Sequence, residues 1–221
     1  AAGEVSIGSF MVVLFVFLFA FLLSRECYQT KCRALSVLQE PRALMAEAEK
    51  DFITGLLNRK GLERAVQPLW DRCVKNGELV AIMLINIDDF RQYNERFGHV
   101  EGDVYVRHVA DSIRRTVRGK AVTARVDGGN FFVFAGGMPK QELLELAESI
   151  RTNVERLQLP HAAWGMALTA SIGIGAERAG EDSSFLRLYK SADTMLSQAK
   201  REGKNRVESN FRRGEKYHKI G

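Results

Sequence analysis

The stretch ELVAIMLINID, residues 78 to 88, constrains the fold more than any other part of the chain. A near-continuous apolar run of this kind suits a central strand buried on both faces, and such a strand needs covering layers above and below its sheet. The flanking sequence supplies them. DFITGLLNRKGLERAVQPLWDRCVKNG reads as a turn followed by an amphipathic helix with Leu62, Ala65, Val66, Leu69 and Cys73 on one face, ending at Asn76-Gly77. DDFRQYNERFGHVEGDVYVRHVADSIRRTVRG gives two helical stretches broken at Gly98 and Gly102, with Val104, Val106, Val109 and Ile113 facing inward on the second. AVTARVDGGNFFVFAGG forms a hairpin around Asp127-Gly128-Gly129-Asn130, because Gly and Asn tolerate the positive φ angles of tight turns. A helix over 139–157, the strand ALTASIGIGAE and the helix SSFLRLYKSADTMLSQAKREG follow. Alternating strands and helices around a central hairpin predict an α/β or α+β sheet covered by helices.

The first residues have a different character. IGSFMVVLFVFLFAFLL, residues 7–23, carries no charge and has a length at the short end of what spans a hydrocarbon core as a helix. A secretory signal peptide is the competing reading. The basic residues Arg25, Lys31 and Arg33 follow the apolar run, only Glu4 precedes it, and no small-residue cleavage site comes after, so a transmembrane helix is expected. Positive-inside bias then leaves 1–6 as a short extracytoplasmic end and puts the rest in the cytoplasm. Residues 24–50 form a helical connector with apolar Leu35, Leu38, Leu44 and Met45, kinked or ended at Pro41. A signalling helix paired with a second copy and a solvated spacer are both compatible with it. Residues 208–221 form a basic, frayed tail.

Composition narrows the function classes. With 221 residues, 46% hydrophobic and 27% charged, the chain holds one globular domain plus an attachment. Cys27, Cys32 and Cys73 are an odd, unpatterned set that supports neither a disulfide framework nor a zinc site, which fits a reduced, cytoplasmic main domain. The net charge of +5 comes without an aromatic-interleaved basic motif, so nucleic acid is not expected as a partner.

Four motifs then carry a resemblance. DFITGLLNRKGL is similar to D-x-L-T-G-L-x-N-R, and NIDDFRQYNERFGHVEGD to D-x-D-x-F-K-x-x-N-D-x-x-G-H-x-x-G-D. LTASIGIG and SADTMLSQAKREGKNRV resemble a final strand and a closing A-D-x-A-L-Y-x-A-K-x-x-G-R-N. Over residues 51–207 the chain resembles the GGDEF domain of bacterial diguanylate cyclases, which condense two GTP molecules into cyclic di-GMP. The resemblance implies a nucleotidyl-cyclase-like α+β sandwich, a central sheet flanked by helices.

It also implies what each position should do. Attack of a ribose 3′-hydroxyl on an α-phosphate calls for Mg²⁺ held by two carboxylates. The first should open D-x-D-x-F, where this chain has Asn86. The second should sit at the hairpin. Matching Arg125 and Phe131 to R-x-G-G-D-E-F without a gap puts Gly129 and Asn130 at the acidic pair, and a shifted match puts Asn130 and Phe131 there. Both metal acids are thus expected to be missing, with Asp127 the one candidate to relocate a ligand, and Asp88 and Asp89 near the first position. Guanine contacts map onto Asn94 and Asp103, and triphosphate contacts onto Lys200 and Lys204, with Arg91 at the usual Lys of F-K. The product-inhibition motif R-x-x-D maps onto Arg118 and Ala121, its acid gone.

The resulting expectation is a catalytically inactive, single-pass GGDEF pseudoenzyme of the bacterial inner membrane, a regulatory or scaffolding module with residual GTP binding and weak Mg²⁺. Its partners would be a membrane protein complex, another GGDEF protein or a second copy of itself. The alternative is a weak or atypical diguanylate cyclase with a relocated metal site.

Overall fold

The computed structural model describes residues 48–157 and 168–211. The apolar run 7–23, most of the connector and most of the tail lie outside the described residues. Among the described residues, no helix is long and apolar enough to cross a membrane.

Helix α1, Arg59–Asn76, starts where the Oδ1 of Asn58 accepts from the Gly61 N–H at 3.0 Å, and ends at Gly77 with φ +62°. These are the side-chain cap and left-handed terminus that its sequence calls for. β1, Leu79–Ile87, is the apolar run and occupies the middle of the sheet. Helices α2, Phe90–Phe97, and α3, His99–Val117, follow, separated at Gly98 with φ +87°. β2, Val122–Asp127, and β3, Asn130–Gly136, make the hairpin. α4, Lys140–Glu155, β4, Ala170–Arg178, α5, Phe185–Arg201, and β5, Val207–Ser209, complete the described chain.

The five strands run in the order β2-β3-β1-β4-β5, antiparallel except for the parallel pair β4–β5. Side chains alternate across the sheet, so β1 feeds two cores. Ala81, Met83, Ile85 and Ile87 pack with Phe131, Val133, Ile172 and Ile174 under α3 and α4. Val80, Ile82 and Leu84 pack with Phe132 and Phe134 under α1 and α5. On β4 this second face holds glycines, and α5 lies directly on the strand. A Cβ at Gly173 would come within 2.1 Å of the Leu196 nitrogen and 2.3 Å of the Ala192 oxygen.

Two expectations need correction. Gly102 does not break a helix; it is buried inside α3, where a Cβ would come within 1.9 Å of the Asn94 Oδ1. Close approach between α2 and α3 accounts for that glycine. Val104 does not face inward; it is 37% exposed, while Val106, Val109 and Ile113 are buried. Because α3 starts at His99 without interruption, Val104 lies on its outer flank. β5 is a further strand that the sequence pattern did not predict, three residues following the turn at Lys204-Asn205, both of which have positive φ.

Candidate functional site

The hairpin tip and the end of β1 meet. Gly128 and Gly129 join Asp127 to Asn130, with φ +39° at Gly128, and the Ile87 N–H donates to the Gly129 oxygen at 3.0 Å. In the β1–β3 ladder Asn130, and not Gly129, stands opposite Asn86. The Asn86 Nδ2 donates to the Asn130 Oδ1 at 2.6 Å, and the Asn130 Nδ2 donates to the Asp127 carboxylate. An ionised carboxylate only accepts, so Asp127 fixes the Asn130 amide with its nitrogen outward. The Asn130 oxygen must then accept from Asn86, which fixes the second amide in turn. Gly129 has little room for a side chain, since a Cβ would lie 3.1 Å from the Phe90 ring and 3.3 Å from Ile87.

This tip borders a cavity of about 560 Å³ lined by Asn86, Gly129, Asn130, Arg91, Asn94 and Lys200, with Asp89 and Glu95 also in its lining. Six of the residues expected from sequence are therefore brought together. Asp103 and Lys204 are not in the lining. Asp103 is half-buried on α3, and Lys204 turns to Asp89, both of whose oxygens it contacts, at 2.7 and 2.9 Å. Asp127 is exposed on the hairpin and is likewise outside the lining. Arg91 is paired with Glu95 at 2.8 Å, whereas Lys200 makes no ion pair among the described residues. The Asn94 Oδ1 is buried without a hydrogen-bond partner, an arrangement that costs about 1–3 kcal/mol until a donor reaches it.

Asp88 has a different role from its motif neighbour Asn86. It is 4% exposed and accepts from Ser171 Oγ at 2.7 Å, Thr169 Oγ1 at 2.7 Å and the Asn205 N–H at 3.1 Å. It ties the ends of β1 and β4 to the turn before β5, so this acid is committed to the fold.

The oxygen donors suit Mg²⁺ poorly. Mg²⁺ demands near-octahedral oxygen ligation and loses water reluctantly, which favours unengaged carboxylates. Here the Asp88 oxygens hold three donors, Asp89 holds Lys204, Glu95 holds Arg91, Asp127 holds Asn130, and the Asn130 oxygen holds Asn86. Among the described residues, no group of three or more His, Cys, Asp or Glu is placed to hold a metal ion.

Behind the hairpin lies a contact invisible to motif reading. Arg125 is 7% exposed; its guanidinium meets Asp51 at 3.0 Å and donates to the Gly128 oxygen at 3.0 and 2.9 Å. Burial would raise the Asp51 pKa, but hydrogen bonds from Thr54 and Arg125 outweigh it and hold the carboxyl below its ordinary value. A second cavity, of about 630 Å³ between α3 and α4, is lined by Arg118, Arg115, Arg156, Lys120 and His108. Arg118 sits there at φ +47° with its Nε donating to the Arg115 oxygen, and Ala121 is not part of the lining.

The family profile of the diguanylate cyclase, GGDEF domain matches residues 48–206. Among curated proteins, the probable diguanylate cyclase DgcC of Escherichia coli (strain K12) is 28% identical over 199 residues, covering 90% of this chain and 51% of the relative. The chain thus spans about half the length of that protein. Among solved structures, the coiled coil and GGDEF domain of DgcB from Caulobacter crescentus in complex with c-di-GMP superposes with a TM-score of 0.74 at 24% identity, covering 85% of this chain and 98% of that one. Diguanylate cyclase SiaD from Pseudomonas aeruginosa, in complex with its activator SiaC, superposes with a TM-score of 0.71 at 21% identity, covering 90% and 76%. With the fold, the motifs and the profile in agreement, the chain belongs to the diguanylate cyclase GGDEF domain family.

Proposed function

We propose that this chain is a GGDEF pseudoenzyme, a regulatory or scaffolding module of a bacterial membrane complex or cyclic di-GMP pathway that retains a nucleotide pocket and has lost the cyclase reaction. One observation carries the reading. The facing ends of β1 and β3, where the resemblance calls for metal-binding acid, hold two carboxamides bonded to each other and locked by Asp127. Without carboxylate charge at that point, a metal-activated attack on an α-phosphate lacks its ligands. Asn94, Arg91 and Lys200 around the cavity support retention of GTP binding.

The same reading assigns residues 7–23 to a single inner-membrane helix, 24–50 to a helical connector, 51–207 to the GGDEF domain on the cytoplasmic side and 208–221 to a basic tail, whose first residues, Glu208 and Ser209, belong to β5 and so to the domain's sheet. A tether of this kind raises the effective concentration near other membrane proteins, so modest interfaces suffice. The partner is a membrane protein complex, another GGDEF protein or a second copy. That SiaD was crystallised with a protein activator supports partner binding as a use of this fold.

The test is to incubate the purified chain with radiolabelled GTP under Mg²⁺ and under Mn²⁺, following both retained nucleotide and cyclic product. Retention without product is expected. Product that disappears in Asp127→Ala would overturn the reading in favour of a cyclase with a relocated metal ligand.

A further inference from the structure

The cavity at the β1–β3 tip presents the wrong chemistry for a nucleotide accompanied by a divalent cation and a suitable one for the nucleotide alone. Its acids are all engaged. Asp89 pairs with Lys204 and Glu95 with Arg91, while Asp127, outside the lining, accepts from Asn130, so each nearby carboxylate already has a partner. Its donors are not exhausted. Lys200 lines the wall without an ion pair among the described residues, and each amide nitrogen of Asn86 and Asn130 carries a second N–H beyond the bond already described. The orientation of those amides is set by Asp127, which leaves one N–H on each of Asn86 and Asn130 uncommitted at the end of the sheet.

From this arrangement we infer that the cavity takes a guanine nucleotide as the metal-free polyanion, with Lys200 and the amide N–H groups of Asn86 and Asn130 taking the place of the divalent cation at the phosphates. The inference rests on the nucleotide-pocket reading above and adds the ionic form of the ligand. Its physical basis is simple: an uncompensated ammonium attracts the more highly charged free triphosphate more strongly than the half-neutralised magnesium complex. Amide N–H groups give phosphate oxygens hydrogen bonds but offer a cation nothing. An acid at either position would reverse both effects, because it repels phosphate and attracts metal.

The experiment is equilibrium dialysis of the full purified chain against radiolabelled GTP, once in excess EDTA and once in excess MgCl₂. Binding at least about threefold tighter in EDTA is expected, roughly 0.7 kcal/mol on the scale where tenfold is 1.4. The double variant Asn86→Asp with Asn130→Glu should invert the order, binding better with Mg²⁺ than without. Lys200→Ala, at an exposed helix position, should weaken binding in EDTA about tenfold while leaving the melting temperature unchanged, which keeps the inference testable if the double variant fails to fold. Tighter binding of the native chain with Mg²⁺ than with EDTA overturns the inference and leaves the nucleotide pocket standing, as does a Lys200→Ala variant that binds normally in EDTA. Binding in neither condition removes the pocket reading itself and the inference with it.

Discussion

Arg125 and Asp51, 74 positions apart in the chain, meet at 3.0 Å and clamp the segment entering the domain to the hairpin tip. The guanidinium also donates from Nε and Nη2 to the Gly128 oxygen, so one side chain braces both the N-terminal turn and the loop beside the cavity. Removing one partner leaves the other charge buried and unpaired, which is usually more costly than the pair is worth. Asp51→Asn should therefore destabilise the domain by about 3 kcal/mol near neutral pH. Because the folded Asp51 pKa lies below its ordinary value of 3.8, the native advantage is present above that value and fades as the pH falls through the lower, folded one. Melting curves of the two proteins should converge below about pH 3.8 and stay apart at pH 7.

Asp88 should behave as a structural acid. Alanine there strands the hydroxyls of Ser171 and Thr169 and the Asn205 N–H, and Asp88→Ala should lose about 3 kcal/mol in urea unfolding. If the carboxylate were instead a metal ligand with little structural duty, the unfolding midpoint would hardly move.

Gly173 and Gly180 make a matched pair. A methyl at Gly173 meets the backbone of α5 at 2.1 Å, and neither element can yield, so Gly173→Ala should cost about 3 kcal/mol or more, read by thermal melting. At Gly180 nothing lies within 4 Å of a built Cβ, and Gly180→Ala should stay within about 0.5 kcal/mol of the native protein.

Asp127 separates the two functional readings by the condition in which its loss is felt. If it orients the amides, Asp127→Ala lets both carboxamides flip, and GTP affinity in EDTA should fall about twofold. A relocated metal ligand predicts loss of binding and product under Mg²⁺ instead, with binding in EDTA unchanged.

Much of the architecture was legible because hydrophobic period is a local signal. ELVAIMLINID gave the central strand, Asp127-Gly128-Gly129-Asn130 gave the hairpin, and Leu62, Val66 and Cys73 gave the buried stripe of α1. What escaped is long-range. Nothing along the chain tells Asp51 that it will find Arg125, or that Asp88 will be enclosed by β4 and the Asn205 turn while Asn86, two residues earlier, ends at a cavity. Gly102 shows the same limit. Read locally it is a helix breaker, and only the arrival of Asn94 from the preceding helix makes it a packing requirement. At the site, motif spacing located Asn86, Asn94 and Lys200, but not the turning of Lys204 onto Asp89, since side-chain pairing is decided by geometry that spacing does not encode.

The glycine face of β4 has a consequence for how such a domain changes over time. Backbone resting on backbone gives α5 almost no play, and Lys200 lies four residues beyond Leu196, about one turn past the contact that fixes the helix. The lysine is thus delivered to the cavity by a strut whose position is independent of what the strand ends carry. Asn86 and Asn130 belong to the opposite category, tips that no core depends on. Selection can exchange those two side chains, trading metal chemistry for another use, without renegotiating the chassis that carries the charge.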